Sequence, residues 1–490
     1  MKKFISLLLA LCLVLALAAC GGGKTNETKP VESKPAESKP TESTPSEPSN
    51  PYKGTEIEVW GVDVTKFEDI TTVNAGDFLD CALVAMVEWG AANEVTIKWG
   101  GSYTQARYMA AVAGGQTPDL ILCYGNFPTF ANLGITKGMS AEGAAAIAEV
   151  AGEGYVTATS YKGQYHGMLL PVNGNEVFWY NMSKCEELGV KTPKEYWEEG
   201  NWNWNTMVQF WKDCTKDVDG DGVFDYVGTA TNDFIKLGGE FTYAQQNADG
   251  TLSSVVETER YRFFADMCYT GVTEGWIKSG VGDIWSLTME PYPITRLGDC
   301  ELYNPHHTNW TLDNGDICEV VPLPKYEESE AQMNTRLSFT LYICSSNDNM
   351  SATEAMLVYV QKACIKFMSD VSQGAVATDF EGIKGTIPLS KLWLERHAER
   401  LASDKAYVKT LTDAGVYDAE HVAKLWDYLI VETPSAIPRA YSGVNCPYYP
   451  VQGYDWMFGY LFTEPAATSV PKVIAAHKAE IKTYNDTYAF

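Results

Sequence analysis

The sequence predicts an α/β fold built on a parallel sheet with helices on both faces. Strand and helix patterns alternate between residues 54 and 123, and this alternation is typical of parallel sheets. The third strand is continuously apolar, as expected when helices cover both faces of a sheet. With 490 residues, the chain is long enough for at least two lobes, each with its own core.

The five predicted elements follow one another in order. An alternating run that ends at a glycine predicts the first strand, and apolar residues at helical spacing predict the two helices. The predicted elements are a strand over residues 54–61, a helix over 78–89, a strand over 95–99, a helix over 103–113 and a strand over 118–123. Ligands of such sheets bind beyond the carboxyl ends of the strands, so we expect site residues there.

The first twenty residues have the pattern of a secretory signal peptide that ends at a lipobox. Two lysines precede an apolar run from Phe4 to Ala19, which is short for a spanning helix and is followed by three glycines. Cys20 is then expected to become the first residue and to carry acyl chains. The alternative is an uncleaved anchor. The prediction places the protein on the extracellular face of the cell membrane.

Residues 21–53 form a Pro-, Glu-, Ser- and Lys-rich segment with a loose five-residue repeat. Such a composition cannot build a core, and regularly spaced prolines favour extended, solvated chain. We therefore predict a disordered stalk. Its charges nearly cancel, so the acidity of the chain belongs to the residues that follow.

The charge balance argues against nucleic acid as a partner. The chain has 37 Lys and Arg against 63 Asp and Glu, a formal net charge of −26, and phosphate binding needs a basic surface. The same balance disfavours a polyanionic sugar unless a local basic patch exists, for which Arg296 and Arg336 are candidates.

Ten cysteines remain once Cys12 and Cys20 are set aside. They include no C-x-x-C pair, which argues against zinc ribbons and thioredoxin chemistry. Pairing of some of them is left open because the predicted compartment permits disulfides, and several, such as Cys123, are expected to be small buried residues.

An acidic loop predicts a structural calcium ion. Three aspartates alternate before Gly222, as at the start of a calcium loop, and a backbone carbonyl would complete the set. The distant bidentate glutamate of an EF-hand is absent, so the last aspartate would close a shorter loop. The predicted ligands are Asp217, Asp219, Asp221, Val223 and Asp225. The alternative is an acidic surface turn without metal. No organic cofactor is predicted.

Several ordered motifs resemble those of the family 1 extracellular solute-binding proteins, the sugar-binding components of ABC importers such as the maltodextrin-binding proteins. They are spread over most of residues 54 to 370 and occur in the order of the family. They comprise Pro118-Asp119, Tyr161 to Pro171, Phe178 to Asn181, Leu188 to Met207, the loop Asp217 to Asp225, Val321 to Lys325 and Thr353 to Met368. The segment from Arg336 to Cys344 departs from the pattern, and the tail beyond Lys384 matches loosely.

The resemblance implies two α/β lobes joined by a hinge, with a ligand cleft between them. It assigns residues 54–172 and 326–378 to lobe 1 and residues 173–325 and 379–490 to lobe 2. It also implies a monomer without catalytic activity, which captures a carbohydrate, most simply an oligosaccharide, and delivers it to ABC permease subunits. Closure around a ligand that contacts both lobes would signal the bound state. Some relatives carry calcium at the loop described above.

The resemblance also implies ligand-binding residues, since sugars need flat rings for stacking and a few polar groups to fix orientation. The candidates are Trp60, Asp63, Tyr124, Asn126, Asn173, Asn175, Glu290, Tyr292, Trp310 and Trp456. Trp202 and Trp204 are assigned to packing. For any single aromatic residue, a place in the core is the competing interpretation.

Two alternatives to carbohydrate capture remain open. The first is a binding protein for a peptide or another polar solute. The second is a glycan-processing enzyme at the cell surface, because paired carboxylates hydrolyse glycosides when a cleft sets their separation. Motifs of serine hydrolases, P-loop NTPases and zinc proteases are absent from the sequence. His306-His307 lacks a third spaced ligand and is expected to lie in a loop.

Overall fold

The structure is a computed structural model. It describes residues 50–61, 78–102, 104–115, 118–124, 129–157, 159–170, 174–231, 244–249, 251–278, 291–301, 309–312, 314–326, 339–372, 382–415, 417–431 and 460–488.

The helices, in chain order, are α1 (Phe78–Ala92), α2 (Gln105–Ala113), α3 (Thr129–Asn132), α4 (Ala141–Ala151), α5 (Gly154–Thr157), α6 (Met182–Leu188), α7 (Pro193–Glu198), α8 (Trp204–Cys214), α9 (Glu259–Glu274), α10 (Met350–Ser372), α11 (Pro388–Asp413), α12 (Ala419–Val431) and α13 (Ala466–Tyr488).

The strands are β1 (Glu56–Gly61), β2 (Thr96–Trp99), β3 (Leu120–Tyr124), β4 (Ser160–Tyr161), β5 (Gln164–Tyr165), β6 (Gly167–Leu169), β7 (Gly174–Asn181), β8 (Tyr226–Val227), β9 (Thr229–Ala230), β10 (Ala244–Gln246), β11 (Leu252–Ser254), β12 (Ile277–Lys278), β13 (Tyr292–Pro293), β14 (Thr295–Glu301), β15 (Asn309–Thr311), β16 (Ile317–Pro322) and β17 (Phe339–Ile343).

The first sheet has the order β2-β1-β3-β17-β6. Strands β1, β2 and β3 are parallel, with Val59 beside Trp99 on one side and Leu120 on the other. The prediction of strand, helix, strand, helix, strand with parallel pairing is therefore confirmed. Strand β17 returns from much later in the chain and pairs antiparallel with both β3 and β6.

Successive residues of these strands point to opposite faces of the first sheet, and each face has its own apolar cluster. Ile57 and Val59 contribute to the larger cluster, the first core, in which α10 packs against α1 and α4. Trp393 of α11 belongs to the same core. The chain after the predicted change of lobe at residue 378 thus still packs on the first core, and the lobe boundaries stay a prediction.

The opposite face of the first sheet carries a smaller cluster that is rich in aromatic side chains. Trp60 and Ile121 point to this face, where Tyr108 of α2 and Tyr342 of β17 are also buried. The rings of Phe130 and Tyr342 meet edge to face, with centroids 5.4 Å apart. This aromatic cluster lies beneath α2, at the side of the sheet where β1 ends.

The second sheet is antiparallel throughout, in the order β14-β7-β16-β15. Its buried face joins α8 and α9 in the second core, which contains Phe178, Trp204 and Trp211. Trp202 and Trp204 are both buried, and the Trp202 indole donates a hydrogen bond to the carbonyl of Pro322 at 2.7 Å. Their assignment to packing is confirmed.

The cysteine side chains that the structure describes are buried thiols rather than disulfides. They are Cys81, Cys123, Cys185, Cys214, Cys268, Cys318, Cys344 and Cys364. The prediction that Cys123 is a small buried residue is confirmed, since it is 3% exposed.

None of the described helices combines the length and the apolar character of a membrane span.

Candidate functional site

The carboxyl ends of β1 and β2 bring together a buried ring and an exposed cation. Trp60, the next-to-last residue of β1, is only 7% exposed, and its indole N–H donates to a carboxylate oxygen of Glu58 at 2.7 Å. The edge of its ring meets Tyr108, with centroids 6.3 Å apart at 84°. A Cβ on Gly100 would collide with the indole, so a glycine is required where the chain passes the ring.

Arg107, on the first turn of α2, covers the ring of Trp60. Its guanidinium carbon lies 4.5 Å from the ring centroid, a cation–π distance. The guanidinium donates to the carbonyl of Ser102 at 2.7 Å and also to the carbonyl of Gly100. The side chain is nevertheless exposed. The loop that follows β2 therefore holds the guanidinium in a fixed position at the edge of the sheet.

Sequence reasoning missed Arg107. Its place in the predicted helix over residues 103–113 gave no sign of where the side chain points. The signal that was available is Gly100-Gly101 directly after the second strand, which indicates that something approaches the backbone closely at that point.

Tyr292 lies in β13, which pairs in parallel with β8. It is 8% exposed, and its ring meets that of Tyr226 edge to face, with centroids 6.4 Å apart. Its backbone N–H donates to the carbonyl of Asp225 at 2.7 Å. The strand that carries this predicted pocket residue is thus joined directly to the last residue of the acidic loop.

The acidic loop folds around its own carboxylates. Oxygens of Asp217, Asp219 and Asp225 lie within 4.8 Å of one another. The two oxygens of Asp217 accept hydrogen bonds from the backbone N–H groups of Gly220 and Gly222, at 2.7 and 2.8 Å. Both glycines have positive φ, at 79° and 92°, which lets the chain turn sharply enough to present those N–H groups.

The five predicted metal ligands divide into two sets. Three of them, Asp217, Asp219 and Asp225, form the converging group. Asp221 is not in that group, and its carboxylate accepts a hydrogen bond from the backbone N–H of Val223 at 2.8 Å. The Val223 side chain is exposed, as expected for a residue that would contribute only its carbonyl.

Some of the other predicted site residues lie in described strands, and the rest lie outside the described residues. Tyr124, Asn175 and Trp310 lie within strands β3, β7 and β15. Those outside the described residues are Asp63, Asn126, Asn173, Glu290, Trp456 and the predicted lipidation site Cys20. Of the two candidate basic residues, Arg296 lies half-buried in β14, and Arg336 is outside the described residues.

A polar depression of about 530 Å³ lies towards the amino ends of β1 and β3, and it shares Glu58 with the hydrogen bond from the Trp60 indole. Glu58 and Asp119 line it, together with Lys98. One oxygen of Asp119 accepts a hydrogen bond from the backbone N–H of Glu58 at 2.9 Å. Burial raises the pKa of Asp119, and the nearby charges of Glu58 and Asp348 raise it further.

Comparison with solved structures identifies the fold. The sugar-binding protein MalE from Xanthomonas citri superposes with a TM-score of 0.54 at 14% identity, over 88% of this chain and 98% of that one. The chain has the two-lobed fold of such binding proteins. The cyclic α-maltosyl-1,6-maltose binding protein of Arthrobacter globiformis gives a TM-score of 0.52 at 11% identity, over 88% and 98% of the two chains. The periplasmic oligogalacturonide binding protein of Yersinia enterocolitica gives 0.51 at 16%, over 87% and 100%.

The predicted fold class, α/β with two lobes, is therefore confirmed. No protein-family model and no curated protein sequence matches the chain. The structural neighbours are substrate-binding proteins rather than enzymes.

Proposed function

We propose that the protein is an extracellular solute-binding protein that captures a carbohydrate, in the simplest case an oligosaccharide, and delivers it to an ABC importer. The observation that carries this proposal is the shared two-lobed fold, because the neighbouring structures are a sugar-binding protein, a cyclic α-maltosyl-1,6-maltose binding protein and an oligogalacturonide binding protein. The ordered sequence motifs point to the same family of proteins.

Capture without catalysis follows from the way such a fold works. A ligand that contacts both lobes binds the closed state more tightly than the open state, so its binding shifts the equilibrium towards closure. A permease that recognises the closed shape can then respond to the bound ligand without any change in covalent bonds. The aromatic and polar residues proposed for the ligand are those named from the sequence. The structure describes the side chains of two of them, Trp60 and Tyr292; both are buried, and Arg107 covers the Trp60 ring.

The proposal includes attachment to the membrane through a lipid on Cys20. The support is the lipobox-like end of the apolar segment and the Pro-, Glu-, Ser- and Lys-rich composition of residues 21–53, which favours an extended chain. Acyl chains retain a protein at a membrane through burial of their methylenes, worth about 0.8 kcal/mol each. Such a tether would leave the binding protein free to reach permease subunits as a monomer.

We also propose a structural calcium ion in the acidic loop. Asp217, Asp219 and Asp225 fit it, because their carboxylates converge and supply the hard oxygen ligands that calcium prefers. Their mutual repulsion at this distance favours a compensating cation. When bound, the ion would neutralise that repulsion and hold the end of the loop, where Asp225 accepts the hydrogen bond from Tyr292. The ion is thereby linked to a residue predicted to line the cleft.

A thermal-shift screen of the full chain in detergent tests the function. The ligands are neutral and acidic oligosaccharides, monosaccharides, amino acids and peptides. A ligand that binds only the folded state adds about 2.7 kcal/mol of stability at a hundredfold excess over its Kd. Stabilisation by a glycan series supports the proposal, and stabilisation by peptides alone would favour the first alternative. Cleavage of any glycan by the pure protein would favour the second.

The calcium proposal has its own test. Millimolar Ca²⁺ should raise the melting temperature of the protein, chelator should lower it, and Asp219→Asn should remove the difference. Asp249→Asn is the matched control, because Asp249 also accepts a backbone hydrogen bond in an exposed turn, from Thr251 at 2.9 Å, but belongs to no converging group of carboxylates in the described chain. Equal melting temperatures with calcium and with chelator would refute the ion.

A further inference from the structure

Among the described residues, Arg107 is an exposed cation that has no carboxylate partner. In the described part of the chain it forms no ion pair, although acidic residues outnumber basic ones by 63 to 37. By contrast, exposed Arg262 lies 3.7 Å from a carboxylate oxygen of Glu257. The partners that the structure describes for the Arg107 guanidinium are two backbone carbonyls and the face of the Trp60 indole. The nearest described carboxylate on that indole is Glu58, which accepts its N–H and does not pair with Arg107.

The position of Arg107 is the one expected of a ligand contact. Gly100 and Ser102, which accept its hydrogen bonds, lie one and three residues after the end of β2, and Trp60 is one residue from the end of β1. Ligands of parallel sheets bind beyond these carboxyl ends. The indole of Trp60 is buried and covered by the guanidinium, so a ligand arriving at this edge meets Arg107 before it meets the ring.

The chemistry of the guanidinium indicates which functional group of a ligand it would bind. Arginine presents five N–H donors in a planar fork that matches the two oxygens of a carboxylate. Two groups of the fork, Nη1 and Nη2, each donate to one loop carbonyl, which fixes the orientation of the remaining N–H groups in advance. Since the side chain is already held, binding an anion would cost little further conformational entropy. A fixed cation also offsets, at one point, the repulsion that the net charge of −26 exerts on an anionic ligand.

We propose that Arg107 binds a carboxylate of the ligand, and that the captured carbohydrate is therefore an acidic one, containing uronic acid units. This inference rests on the proposed function and deepens it, because it names the chemical class of the sugar. In this arrangement Trp60 supports the guanidinium from below, and Arg107 determines specificity.

Calorimetry with trigalacturonate and its methyl ester tests the inference, because the two ligands share a sugar backbone and differ only in their carboxylates. The wild-type full chain should bind the acid at least about tenfold more tightly than the ester, in keeping with the strength of charge-assisted hydrogen bonds. Added salt should weaken binding of the acid and leave the ester unaffected. Equal affinity for acid and ester would overturn the inference, and this comparison needs no variant.

Three variants sharpen the test. Arg107→Gln should lower the affinity for the acid about tenfold or more and leave the affinity for the ester unchanged, which loss of structure would not do. The affinity of Arg107→Lys for the acid should lie between those of the wild type and Arg107→Gln, since lysine keeps the charge and lacks the planar fork of N–H donors. The control is Arg262→Gln, which should bind as the wild type does. If Arg107→Gln retains full affinity for the acid, or if only neutral glycans bind, the inference fails and the proposed function stands. If no glycan binds to the wild type, the proposed function fails as well.

Discussion

Glu88 and Ser390 are 302 residues apart in the chain, and the Ser390 hydroxyl donates a hydrogen bond to the Glu88 carboxylate inside the first core. The backbone N–H of Thr386 donates to the same carboxylate at 2.9 Å. Burial by itself raises the pKa of Glu88, but the hydrogen bonds from Ser390 and Thr386 outweigh it and lower the pKa overall. An ionised carboxylate on α1 therefore fixes the start of α11.

Replacing Glu88 should destabilise the protein. Glu88→Ala removes a fully buried acceptor and leaves its donors without a partner, so we expect a loss of about 2–4 kcal/mol in the free energy of unfolding. Glu88→Gln should lose less, because the amide oxygen still accepts. Urea unfolding measures both. Glu187→Ala, which breaks the exposed pair with Lys184, is the control and should cost less than about 1 kcal/mol. A small, equal effect of both alanine variants would contradict the anchoring role.

Two neighbouring lysines should differ sharply in their contribution to stability. Lys194 contacts Glu319, whose side chain is 3% exposed, at 3.2 Å, and also contacts Asp418 at 2.7 Å. Lys194→Met would leave Glu319 buried with less compensation, at a cost of about 3 kcal/mol. Lys191 pairs with the more exposed Glu199, so Lys191→Met should cost less than about 1 kcal/mol. Adding Glu319→Gln to Lys194→Met should recover part of the loss. Equal melting temperatures of the two single variants would refute this difference.

The order of elements in the first sheet could be predicted from the sequence, because each signal is local. The run ending at Gly61 alternates, the strand from Leu120 is apolar on both faces, and the helix from Phe78 has apolar residues at helical spacing. Each of these patterns reflects which side chains are buried, and the spacing of buried side chains differs between strands and helices. Local patterns cannot show that Phe339–Ile343 inserts beside β3, since that pairing joins residues about 220 positions apart. Only the resemblance implied a return to the first lobe.

The candidate site could be predicted less well, because it depends on contacts between side chains that are distant in the sequence. The convergence of Asp217, Asp219 and Asp225 was predictable, since the three share one short loop and glycines shape the turn. Trp60 illustrates the limit: its place at the end of a strand was predictable, but the cover provided by Arg107 was not. No sequence pattern shows that a guanidinium on the next helix but one lies over that ring.

Acidification should weaken the fold through His166. Burial lowers the pKa of this histidine to about 4, and its Nδ1 lies 2.9 Å from the Thr136 hydroxyl. An unfolded histidine titrates near 6.5, so below that pH the unfolded state binds a proton that the folded state refuses. The contribution to stability therefore falls as the pH drops from about 6.5 to 4.

Urea unfolding between pH 7.5 and 4.5 measures this effect. His166→Gln keeps a polar side chain but cannot titrate, so the stability difference between wild type and variant should shrink as the pH falls. His477, whose pKa burial also lowers to about 4, remains in both proteins and cancels from the comparison. Parallel stability curves across this range would show that His166 contributes nothing to the acid response.

Gln361 should limit the stability of α10, the long helix that packs in the first core. The side chain is fully buried, and neither its amide nitrogen nor its amide oxygen has a hydrogen-bond partner. A buried polar group without a partner costs about 1–3 kcal/mol relative to its solvated state.

Gln361→Met has nearly the same shape and length without the amide, so it should raise the free energy of unfolding by about 1 kcal/mol or more. Gln361→Glu, which would bury a charge at the same position, should lower it. Urea unfolding of the three proteins decides the matter, because a loss of stability in Gln361→Met would mean that the amide is satisfied in solution, by water or by movement of the helix.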